Sequence, residues 1–208
     1  MLAWINFAIL LAATVLFLLF YVRSARPAGR EMISEPGAYQ SCFYERIVSG
    51  VFEFIITANY ILYYYYPLPA PLPVRFPWPF WLSILLAVLI GVPALILLSS
   101  GILAAGEETM HPKKSHTMYA GIYTKIRHPQ ATGEVFLFPV MALLLHSPFL
   151  LIFSLIYYPI FVVVCYAEEQ DLLLRYGDAY AEYCRRTGAF WPKKHSIGNK
   201  GGFTSPSA

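Results

Sequence analysis

Arg127, His128, Glu134, Glu168 and Glu169 are the residues whose types and spacing could do chemistry in this chain. The first three lie in KIRHPQATGE (125–134), directly before the apolar VFLFPVMALLL, and the last two open EEQDLLLRYGDAYAEYCRRTGAFWP (168–192). Anchoring a helix in a bilayer needs only a lysine or two at its edge, so this density of charge asks for another purpose. Pro129 suits the first position of a helix, whose opening N–H groups lack intrahelical partners and attract anions, and Arg127 strengthens that pull. The carboxylates offer the opposite charge. Together they suit a zwitterionic ligand with a carboxylate at one end and a cation at the other. Glu134 and Glu53 fall inside apolar runs, where an ionised carboxyl costs roughly 2.5–3.5 kcal/mol at mid-span, so a functional reading is the default for both.

The elements that position these groups follow from composition. The 208 residues are 58% apolar and only 13% charged, which excludes an ordinary soluble domain. Roughly 20 apolar residues cross about 30 Å of hydrocarbon, and residues 1–22, 47–66 and 80–105 each qualify as spans. The first has no basic leader and reads as a retained span. Residues 135–167 are apolar except for His146 and Ser147 and would be about 50 Å long as one helix, so they must fold back. His146, Ser147 and Pro148 supply the turn, giving a fourth helix over 129–145 and a fifth over 148–167. The expected fold is all-α, polytopic, with five transmembrane helices: a single membrane domain over 1–192 and a disordered tail over 193–208. Of the 15 Lys and Arg residues, Arg75 alone falls on one side of this scheme, which puts the amino terminus outside and the tail in the cytoplasm.

Counting from the turn sets Pro129 and Tyr166 at one depth, so Arg127 and His128 lie beside Glu168 and Glu169 at the mouth of a helical hairpin. Beyond the glutamates the pattern predicts two short interfacial amphipathic helices. Asp171–Arg175 and Glu182–Arg186 form i,i+4 pairs, with Gly177 a C-cap, Asp178 an N-cap and Gly188 the end of the second helix. Leu172, Leu173, Tyr176, Tyr180 and Tyr183 form their buried face, a lid whose rings are available to an adenine. PLPAPLPVRFPWP (67–79) is a stiff outer loop, the tyrosines at 63–66 an interfacial belt, and Pro93 kinks the third span without breaking it. His146 is structural. Three scattered cysteines and five histidines without an H-x-x-x-H pair argue against a disulfide framework or a metal. The basic tail is expected to meet lipid headgroups, not nucleic acid.

These segments resemble the isoprenylcysteine carboxyl methyltransferase-like integral membrane methyltransferases, to which the membrane phospholipid methyltransferases are related. HTMYAGIYTKIRHPQATG is similar to that family's H-x-x-x-x-x-G-x-Y-x-x-x-R-H-P-x-Y-x-G, and the 168–192 segment to its E-E-x-x-L-x-x-x-F/Y-G-x-x-Y-x-x-Y stretch ending in proline. The resemblance implies S-adenosylmethionine as methyl donor, with contacts on His116, Gly121, Tyr123, Arg127, His128, Pro129, Gly133, Glu168 and Glu169, and a lipophilic acceptor arriving from the bilayer. Three positions depart from the pattern. Ala131 replaces the motif tyrosine, the His116–Gly121 spacing is one residue short, and Val164 stands where many members carry an arginine.

Methyl transfer from a sulfonium is an in-line displacement, for which a protein supplies alignment and water exclusion. A carboxylate acceptor needs no base. An amine or phenol does, and Glu134 is the candidate, with Glu53 the runner-up. Two alternatives stay open: an NADPH-dependent membrane reductase, because RHPQATGE is also similar to a stretch of the sterol reductases, and a non-enzymatic membrane protein that keeps the fold.

Overall fold

A computed structural model describes residues 1–33, 36–112 and 120–193. The long helices are α1 (Leu2–Ser24), α3 (Ala38–Tyr65), α4 (Phe80–Ala105), α5 (Pro129–Leu144) and the pair α6 (Pro148–Ser154) and α7 (Tyr157–Tyr176); α2 (Pro27–Met32) and α8 (Asp178–Arg186) are short. Leu2–Ser24, Ala38–Tyr65, Phe80–Thr109 and Pro148–Tyr176 are long and apolar enough to cross a membrane, and Pro129–Leu144 is a shorter apolar helix. The all-α, multi-pass expectation holds. Among the described residues the one β pairing is an isolated parallel bridge between Ile126 and Gly188.

The fourth helix falls where expected. Pro129 opens it, and past its end His146 adopts a positive φ of 54° while Ser147 accepts a hydrogen bond from the Leu150 N–H at 3.3 Å. The helix lies against the backbone of α4, because a Cβ on Gly133 would come within 2.4 Å of the Ala94 carbonyl oxygen. Against α7 it keeps the register read from the turn, with Phe138 stacked on Tyr157 at 3.7 Å between ring centroids. Buried polar contacts tie α1 and α3 to that pair of helices. Thr14 Oγ1 lies 3.0 Å from the Tyr157 hydroxyl and the Tyr60 hydroxyl 3.2 Å from Ser154 Oγ, each contributing about 0.6 kcal/mol in a membrane interior.

Several expectations need correction. The second span begins at Ala38, not at 47, and α2 precedes it, announced by Pro27 at a helix start. The fifth helix is interrupted at Leu155 and Ile156, because Pro159 has no N–H for the Leu155 carbonyl and its ring crowds that oxygen. It then continues through Glu168 and Glu169 to Tyr176, so only the second interfacial helix, α8, is separate. Gly177, at φ 53°, is the cap shared by α7 and α8, which moves Asp178 to the first helical position. Glu182 does pair with Arg186 at 2.6 Å. Asp171 instead accepts from the Gly29 N–H at 2.8 Å, and Arg175 reaches Glu108 at 2.9 Å. The opening N–H groups of α2 and a carboxylate from the turn after α4 are better partners than an i,i+4 neighbour worth about 0.3–0.5 kcal/mol. Of the face expected to be buried, Leu172 and Tyr180 are buried, while Leu173, Tyr176 and Tyr183 are half-buried. The tail from residue 194 lies outside the described residues.

Candidate functional site

His128 precedes Pro129 as the N-cap of α5, and Arg127 precedes His128; both face the C-terminal half of α7. One oxygen of Glu169 serves both, at 2.7 Å from Arg127 Nε and 2.8 Å from His128 Nε2, while His128 Nδ1 lies 3.5 Å from Glu168. Arg127 Nη1 also donates to the carbonyls of Cys184, at 3.2 Å, and Thr187, closing the C-terminal end of α8 over the cluster. The chain after α8 is clipped down by the Arg127 N–H to Gly188 carbonyl bond at 2.9 Å and the His128 N–H to Ala189 carbonyl bond at 3.0 Å. Burial disfavours the charged form of His128, but hydrogen bonds to Cys165, Glu168 and Glu169 outweigh it and hold the imidazole pKa well above the ordinary histidine value. Burial likewise lowers Arg127, and the Glu169 carboxylate more than restores it. Two cations and two carboxylates therefore meet here at neutral pH.

They meet in contact, not across the ligand-sized gap that the hairpin suggested. The cavity beside them, lined by Tyr21, Arg46, Tyr123, His128, Val164 and Glu168, has a volume of about 60 Å³. That is room for about two waters at roughly 30 Å³ each. Ala131 and Val164, two of the three departures from the family pattern, both border it.

A second and larger cavity of about 550 Å³ lies between α1, α3, α4 and α5. Its rim is made by the exposed side chains of Ile47, Val51 and Phe54 on α3 and Ile102 on α4, so it opens sideways toward lipid. Glu53 and Glu134 both line it, near enough that one carboxyl can donate to the other when it carries a proton. The two cavities share a wall made by Tyr21, Arg46, Thr109 and Gln130.

The structure thus gathers Tyr123, Arg127, His128 and Glu168 at one cavity, with Glu169 bound to Arg127 and His128, and Glu53 with Glu134 at the next. Tyr123 is fixed by Gln130 Nε2, which donates to its hydroxyl at 2.8 Å. Pro129 and Gly133 turn toward α4: Pro129 is fully buried, and a Cβ on Gly101 would approach its ring and the Gln130 nitrogen at 3.1 and 3.0 Å. The start of α5 is covered on that side rather than open to an anion. Gly121 is exposed, at φ 63°, where it opens the turn that carries Tyr123. His116 lies outside the described residues. Arg46, Gln130 and Cys165 border the site without having been singled out in the sequence. Cys165 stands one turn before Glu168 and Glu169 on the same helix, so helical spacing points to it. Arg46 reads in the sequence as one more charge at the edge of a span.

Among the described residues no group of three His, Cys, Asp or Glu side chains is arranged to hold a metal ion. Compared with known families, residues 82–179 match phospholipid methyltransferase. The matched segment takes in all but the first two residues of α4, then α5 to α7 and every residue of the Arg127–Glu169 cluster, but neither Arg46 nor Glu53. No curated protein and no solved structure matches the chain.

Proposed function

We propose, for a chain that carries a phospholipid methyltransferase family segment, that it transfers a methyl group from S-adenosylmethionine to a lipophilic acceptor embedded in the membrane. The observation that carries this reading is the shared wall between a charged mouth and a lipid-facing cavity holding two carboxyl groups. The donor set fits the cofactor in charge: Glu168 and Glu169 suit its sulfonium and amine, and Arg127 with His128 its carboxylate. When bound, the cofactor supplies a methyl carbon on a positively charged sulfur. Binding exchanges internal ion pairs for pairs with the ligand, and the 60 Å³ space widens as they part. Helix α8, clipped across the mouth by Arg127, excludes water. The acceptor enters between α3 and α4 and lies against Glu134. The Glu53–Glu134 pair takes the proton of an amine or phenol acceptor. The mouth faces the cytoplasm, with the amino terminus on the opposite side.

The test is a titration of the purified protein in nanodiscs with S-adenosylmethionine and, separately, with NADPH. Saturable binding of the first alone is expected, with labelled methyl recovered in a lipid fraction. Glu134→Gln should keep the binding and lose at least 100-fold in transfer to an amine or phenol. Binding of NADPH, or of neither ligand, overturns the reading.

A further inference from the structure

Arg46 stands on α3, outside the family segment, and borders both cavities. Its guanidinium donates to three backbone carbonyls: Thr109 at 2.8 Å, Glu108 at 3.2 Å and Ser24 at 3.4 Å. These bonds use three of five N–H groups. Nε is buried and has no acceptor among the described residues. The other buried or half-buried arginines at this end are neutralised: Arg127 by Glu169, Arg175 by Glu108 and Arg30 by Glu45. Arg46 has no carboxylate in ion-pair contact among the described residues. Carbonyl dipoles fix the group in place, and the carboxyls of Glu168 and Glu134, which border the same two cavities, feel its charge without pairing with it. Arg127 and His128 must release Glu169 before they can meet a ligand anion, whereas Arg46 has a donor to spare beforehand. Val164, at the position where the resemblance leads one to expect an arginine, lines the same cavity.

We propose that Arg46 is an anion-binding residue of the site, holding a ligand carboxylate or phosphate at the junction between the mouth and the lateral cavity. This rests on the methyltransferase reading, since the anion is either the carboxylate of the cofactor or an anionic group on the acceptor. The chemistry is the same in both cases, a charge-assisted hydrogen bond from a guanidinium already held in position.

Four ligands are titrated against wild type and Arg46→Gln in neutral-lipid nanodiscs. The first arm compares S-adenosylmethionine with its decarboxylated analogue, and the second compares dodecyl phosphate with dodecanol. If Arg46 holds the cofactor, wild type loses roughly 10- to 100-fold in affinity when the carboxylate is removed and Arg46→Gln loses almost nothing further. If it holds the acceptor, the same pattern appears between dodecyl phosphate and dodecanol while both cofactor affinities stay level. Arg46→Lys, which keeps the charge, should recover part of the lost affinity. Thermal unfolding of each variant reports the carbonyl-capping role separately. A folded Arg46→Gln protein with wild-type affinity for all four ligands overturns the proposal and leaves Arg46 a helix cap. A wild-type protein that binds no S-adenosylmethionine brings down the parent reading instead.

Discussion

Each end of the bundle contains a buried histidine at an end of α5. His128 is 5% exposed and His146 8%, so burial does not tell them apart. At the end by the turn between α5 and α6, His146 Nδ1 lies 2.7 Å from Ser83 Oγ, which in turn accepts from Trp78 Nε1 at 2.9 Å. The rings of Phe76 and Phe80 stand edge-on to it at 5.5 and 5.4 Å. Its partners are neutral and already satisfied, and they close the proline-rich loop onto the turn. At the opposite end, His128 is held among an arginine, a thiol and two carboxylates beside a cavity. The difference teaches that a buried polar side chain acquires a functional reading from uncompensated or exchangeable charge next to space, and a structural one from neutral partners in a packed shell.

The comparison can be broken most sharply at Glu169. Glu169→Gln removes the carboxylate that both Arg127 and His128 share, and should lower cofactor affinity about 100-fold, equivalent to about 3 kcal/mol. Calorimetric titration checks it, and an unchanged affinity would deprive the His128 end of its distinction. Gly133→Val probes the packing beneath that end. Its added carbons would meet the α4 backbone, so a loss of about 3 kcal/mol in stability is expected by thermal unfolding in detergent. His146→Ala should cost about 1–2 kcal/mol of stability through the lost Ser83 bond and leave cofactor affinity within about twofold. A large drop in affinity there would erase the contrast. The finest probe is pH. The native pKa of His128 is raised above its unfolded value of about 6.5, so its stabilising contribution is complete below that value. It is lost as pH rises through the raised native pKa. The melting temperature should therefore fall on the alkaline side, and the difference between wild type and His128→Gln should shrink there.

The parts legible in the sequence are those fixed by local chemistry. Pro129 and Pro148 bracket α5, and the turn between them sets the register that brings Phe138 to Tyr157 and His128 to the glutamates. Pro159 and Pro27 carried equally local signals, and they account for the broken fifth helix and for α2. What the sequence hides is long-range. No periodicity reveals that Asp171 will reach the start of α2 or that Arg46 will grip carbonyls more than 60 residues away. Nor does it reveal that Glu53 and Glu134, on helices separated in sequence by α4, will line one cavity. Each depends on how the helices pack side by side, which the spacing within any one helix does not encode.

The 16 residues of α5 span only about 24 Å, some 6 Å less than a hydrocarbon layer of about 30 Å. Hydrophobic mismatch of this kind is relieved by local thinning of the leaflet, at a fraction of a kcal/mol per Å. Headgroups would dip toward the protein beside the short helix, which shortens the vertical distance a polar head must travel to enter from the side. The same mismatch favours residence in the thinner membranes of a cell.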